Sequence, residues 1–73
     1  MAQQIEAAIV ILRRKQVEAR CGLSRSALYR RIGQGSFPRP ITLAGGRAVG
    51  WIEREIDEFL ARCVAQRDQR AAK

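Results

Sequence analysis

The stretch Gly22-Leu23-Ser24-Arg25-Ser26-Ala27-Leu28-Tyr29-Arg30-Arg31-Ile32 joins a turn, a helix cap, an apolar stripe and a basic polar stripe. Gly22 can adopt the left-handed backbone conformation that closes a preceding helix. Ser24 can accept a hydrogen bond from a free N–H in the first turn of the next helix. Leu28 and Ile32 share one face, with Ala27 beside them, while Ser26, Tyr29 and Arg30 are spaced three and four apart on another. One face docks and the other is free to read. The pattern predicts a tight helix-turn-helix whose second helix, over Ser24 to Gln34, is a DNA-recognition helix.

Working outward toward the N-terminus, Val17 and Cys21 lie four apart and predict a helix of two turns from near Arg14 to Cys21. Ahead of it, Ile9-Val10-Ile11-Leu12 is β-branched and too short for a helix of its own, which predicts a short strand or an extended packed arm. The apolar run from Ala7 to Leu12 has no basic residue before it and is followed at once by Arg13-Arg14-Lys15. That order fits neither a signal peptide nor a membrane span. With no disulfide framework either, the expected location is the cytoplasm, with the nucleoid.

Toward the C-terminus, Gly33 and Gly35 weaken and end the reading helix, and Gly35 is placed to be its left-handed cap. Phe37-Pro38-Arg39-Pro40 cannot continue a helix, because each proline lacks an N–H and biases its predecessor toward extended geometry. Ile41-Thr42-Leu43 and Ala48-Val49-Gly50-Trp51 flank Ala44-Gly45-Gly46-Arg47, whose glycine pair supplies the positive φ angles of a hairpin turn. A small wing is expected, with Arg47 near its tip and Trp51 clamping it to the core. A last helix begins near Ile52 and buries Ile52, Ile56, Phe59, Leu60 and Cys63 on one stripe. Past Gln66 the tail Arg67 to Lys73 loses its apolar positions and is expected to fray.

Composition narrows the function. Seventy-three residues read as one domain, 1–73, with a small core over about 10–65. Two cysteines without a single histidine exclude the common zinc plans, so no metal or other cofactor is assigned. Cys21 and Cys63 both fall on apolar helical faces and are expected to be buried, inert thiols. The acids Glu53, Glu55, Asp57 and Glu58 crowd the start of one helix, where they suit its dipole better than acid/base catalysis. No enzyme is legible.

The formal net charge is +7, and its placement carries the argument. Between residues 13 and 31, Arg13, Arg14, Lys15, Arg20, Arg25, Arg30 and Arg31 face a single acid, Glu18. From residue 52 onward five acids balance five bases. The excess therefore lies in the reading half and its wing, which points to a polyanion and not to a membrane surface.

The order Leu12-Arg13, Val17, Gly22-Leu23-Ser24-Arg25-Ser26, Leu28-Tyr29-Arg30, Ile32, Gly35, Phe37-Pro38, Pro40, Leu43, Arg47-Ala48-Val49-Gly50-Trp51, Glu55-Ile56 resembles the AlpA family of phage and prophage regulators. The likeness spans about residues 10 to 65 and takes in the wing as well as the helix pair, which makes it far more specific than a bare helix-turn-helix. Gln16 and Ala27 depart from it, standing where a carboxylate and a hydroxyl side chain are frequent. The resemblance implies a mainly α fold with a small β-hairpin, a winged helix-turn-helix of the MerR/excisionase-like kind. It also implies binding near attachment sites or integrase promoters, with RNA polymerase or an integrase as further partners.

Carried over residue by residue, the recognition role falls on Arg25, Ser26, Tyr29 and Arg30, and the wing role on Arg47. The guanidinium fork of Arg30 suits guanine O6 and N7 in the major groove. Ser26 and Tyr29 can reach base edges or phosphates, and Tyr29 has the alternative of packing against the wing. Arg25 at the helix start suits a phosphate, as do Arg13, Arg14 and Lys15. Arg47 can lie along phosphates or enter a narrow minor groove. Three readings stand: a regulator binding specific double-stranded DNA, an excisionase-like factor that bends DNA for recombination, and a module binding an acidic protein. With no heptad seam, the expected state is a monomer in solution or a side-by-side assembly on DNA.

Overall fold

In the computed structural model, which describes residues 8–71, the chain forms three helices and a small three-stranded antiparallel sheet. The order is β1 (Ile11–Leu12), α1 (Arg14–Cys21), α2 (Arg25–Gly33), β2 (Ile41–Thr42), β3 (Val49–Ile52) and α3 (Glu53–Ala71). Met1 to Ala7 and the final pair Ala72-Lys73 lie outside the described residues, and with them one end each of the apolar run and of the tail.

Local chemistry ends each early helix where the sequence predicts. Gly22 closes α1 at φ +68°, and its N–H donates to the Glu18 carbonyl at 2.8 Å. Ser24 then caps α2, its Oγ accepting from the Ala27 N–H at 3.2 Å. At the other end Gly35 takes φ +76°. The N–H groups of Gly35 and Ser36 return to the carbonyls of Ile32 and Arg31, both at 3.0 Å, and so satisfy carbonyls the helix leaves open.

Of the apolar run before Arg13, Ile11–Leu12 form a strand. Ile11 and Leu12 pair with Ile52 and Trp51, and β3 pairs on its other side with β2, Gly50 opposite Ile41 and Val49 opposite Thr42. The hairpin's pairing is shorter than its sequence suggests: β2 has only two residues, β3 starts at Val49, and the connection holds a 3-10 turn over Ala44–Gly46 with Gly45 and Gly46 both at φ +74°. The central strand β3 is therefore the spine of the sheet. Gly50 is there for space, since a Cβ would collide with the Ile11 side chain and crowd the Leu12 carbonyl.

Leu12, Val17, Leu28, Phe37, Trp51 and Ile56 make the core, one from nearly every element. Trp51 is fully buried and its indole N–H donates to the Pro38 carbonyl at 3.1 Å, so hairpin, proline loop and helices meet on one side chain. Phe37 packs edge-on against Phe59 with centroids 4.7 Å apart. Arg20 pins the end of α1 to the first turns of α3 through Glu53 (2.7 Å) and Asp57 (3.1 Å).

Two expectations are corrected. Cys63 is exposed, not buried, and Cys21 is half-buried. The tail is helical, with α3 running through Ala71. Both corrections have one cause: α3 outruns the sheet, so Phe59 and Leu60 are its last packed residues and everything from Ala61 to Ala71 faces solvent. Among the described residues, no helix is long and apolar enough to cross a membrane.

Candidate nucleic-acid interface

Side chains as far as 34 residues apart in sequence converge beside the start of α1. Arg13, Arg14, Lys15, Tyr29 and Arg47 line an open cleft of about 400 Å³ together with Ala48 and Val49. Arg13 precedes α1 in an extended conformation, φ −89° and ψ 166°. Its N–H donates to Gln16 Oε1 at 2.8 Å, so the amide of Gln16 does the capping work for which a carboxylate is usual. Its Nε–H donates to the Val49 carbonyl at 3.2 Å. This bond ties the first cation of the cleft to the hairpin that carries Arg47.

The cations are not equivalent. Lys15 and Arg47 are exposed and, among the described residues, take part in no ion pair. Arg14 is half-buried and bound to Glu18 at 2.6 Å, an i,i+4 pair that offsets its charge. It therefore contributes less to an anion site than its sequence neighbours do.

Arg25, Ser26, Tyr29 and Arg30 are all exposed along α2, with Ser26 and Arg30 on the side away from buried Leu28 and Arg25 and Tyr29 between the two. The Tyr29 ring meets Trp51 edge-on, centroids 6.5 Å apart, while 40% of the residue remains exposed. The ring of Tyr29 thus leans on the core while the rest of the residue stays accessible. The Arg25 guanidinium lies 6.0 Å from the Tyr29 ring, a cation–π contact that orders the side chain at the helix start. Ser26 and Arg30 stand outside the cleft, further round α2.

Burial pushes the Cys21 thiol above its ordinary range, with the nearby Cys63 adding to the effect and Arg20 opposing it. The half-buried thiol is correspondingly held protonated. A second basic cluster, Arg31, Arg39 and Arg62, lines a groove on the other side of α2. Its members come from a helix, a loop and a second helix, so no local spacing announces them.

A family model described as prophage CP4-57 regulatory protein (AlpA) matches residues 10–64. The uncharacterized protein ORF88 of Enterobacteria phage P4 is 41% identical to the chain over 56 residues, covering 77% of this chain and 62% of that protein. The chain thus spans less than two thirds of that relative's length. No solved structure matches. Since the matched residues include β1, both short helices, the hairpin and the packed turns of α3, the chain belongs to the AlpA family of prophage regulatory proteins.

Proposed function

We propose that the chain is a phage or prophage regulator that binds double-stranded DNA at specific sites, using α1 and α2 as a helix-turn-helix and the β2–β3 hairpin as its wing. The observation that carries this reading is the cleft in which Arg13, Lys15 and Arg47 converge beside Tyr29. An anion as regular as a phosphate backbone would engage the α1 start and the wing together, fixing the register of α2 in the major groove. Arg30 and Ser26 then meet base edges, Arg25 is held by Tyr29 toward a phosphate, and Arg47 follows the backbone or the adjacent minor groove. The work is done in the cytoplasm, on the nucleoid.

Family membership supports a regulatory role, and the phage origin of the P4 relative supports a phage or prophage setting. The test is duplex binding as a function of salt, with an acidic protein as the control ligand. Expected is a steep linear fall of log affinity with log salt for DNA and no comparable binding to the acidic protein. Preferential binding to the acidic protein would overturn the reading.

A further inference from the structure

Among the described residues, the sheet order β1-β3-β2 leaves two outer strand edges without a partner, and their surroundings differ in charge. Beside β2, the loop from Gly35 and α3 enclose an open groove of about 790 Å³. Its floor is the half-buried Phe59, backed by the buried Phe37, and Ile41 stands 39% exposed at its margin. Its cations are Arg31, Arg39 and Arg62, all exposed and none in an ion pair among the described residues. On the β1 side, Ile9 and Val10 are 66% and 50% exposed and share a cleft with Glu53, Glu55, Asp57 and Glu58 against the single cation Arg54. Arg20 occupies Glu53 and Asp57, and Glu55 and Glu58 remain; Glu55 sits on the ridge of α3 and borders both surfaces.

We propose that the groove bounded by Arg31, Arg39 and Arg62 receives the Ala8–Val10 edge of a second copy of this chain, so that copies join head to tail. An apolar segment flanked by carboxylates is what an aromatic floor rimmed by guanidinium groups accommodates. Nucleic acid would satisfy the arginines and leave the floor uncovered. An unrelated acidic protein would fill the groove and leave Ile9 and Val10 bare on the opposite edge. A second copy covers both with one contact, and three of the large exposed apolar side chains, Ile9, Val10 and Ile41, are accounted for together.

Because the contact joins two different surfaces, each added copy leaves one groove and one edge free, and growth continues unless the rotation between copies closes a ring. The patches are small, so the contact is weak in free solution and takes hold where copies are concentrated, as on adjacent DNA sites. The contact itself does not depend on DNA binding and is tested without DNA.

Sedimentation velocity of the whole chain at low salt, from micromolar to millimolar concentration, reads it directly. The wild type is expected to shift to larger species with concentration and to return to monomer with added salt. A groove variant, Arg39→Glu with Arg62→Glu, and an edge variant, Ile9→Lys with Val10→Lys, should each be monomeric alone. Mixed, they should form a heterodimer and nothing larger, because one supplies an intact edge and the other an intact groove. Circular dichroism checks that each is folded, and Arg39→Gln with Arg62→Gln replaces the groove variant if charge reversal disturbs folding. A wild type that stays monomeric throughout, variants that associate as the wild type does, or a mixture that remains monomeric would each overturn the proposal.

Discussion

Arg30 and Arg13 are both exposed arginines, yet their surroundings differ, and under the proposed function so does their work. Arg30 projects from the middle of an exposed helical face, whereas Arg13 is anchored to the Val49 carbonyl at the mouth of a cationic cleft. Arg30→Ala should therefore cost about 1–3 kcal/mol of binding and relax preference at one base pair, while Arg13→Ala should weaken every sequence alike and lower the salt slope by about one. Binding isotherms on a site and its single-base variants, at several salt concentrations, separate the two. A uniform loss for Arg30→Ala would remove it from base reading. Individual side chains are also where the sequence is least legible: apolar spacing marks Cys63 as interior, but spacing does not reveal that α3 continues past the sheet. Thiol-labelling rates make that visible, with Cys63 expected to react fast without denaturant and Cys21, half-buried and held protonated, slowly. Equal rates would contradict the packing of α1 against α3.

Secondary-structure elements were far more readable, because their signals are local. Gly22, Ser24 and Gly35 mark helix ends by backbone chemistry that needs no tertiary partner, and the structure uses all three as read. What local signals do not carry is pairing: nothing within Ile11-Leu12 says that it joins the hairpin's second strand, since that contact spans some forty residues. The pairing leaves its trace at Gly50. Gly50→Ala should destabilise by about 1–3 kcal/mol, the usual cost of an overpacked site, because its Cβ would meet Ile11 across β1–β3. Ile11→Ala should relieve part of that cost, so denaturant midpoints of the two single variants and the double variant form a test. Strict additivity would deny the contact. Trp51→Ala should cost about 3–5 kcal/mol, since the indole is fully buried and joins the proline loop to the hairpin. That is a large part of the about 5–15 kcal/mol that holds a typical domain. An unchanged melting curve would show the tryptophan to be peripheral.

At the scale of the whole molecule, the proposed reading gives the described residues one reading helix, α2, and one narrow wing, which together would cover only a short stretch of duplex. So short a footprint recurs by chance throughout a genome, and specificity must come from repetition of the site or from DNA shape. Repetition is the expected route, because the head-to-tail contact proposed above would let copies on neighbouring sites support one another. A footprint on the native DNA is therefore predicted to show two or more closely spaced short sites near the promoter of an integrase gene. Where those sites lie, and whether the DNA bends, decides what the binding is for. Sites upstream of the promoter, with little bending and a rise in transcript when the protein is added, are the outcome expected of a regulator. Sites inside an attachment region, with strong bending and stimulated excision in a purified system without RNA polymerase, would instead make the chain an architectural factor for recombination. A single isolated site bound with high selectivity on straight DNA would defeat the argument from repetition altogether, since one helix would then be reading more than its length allows.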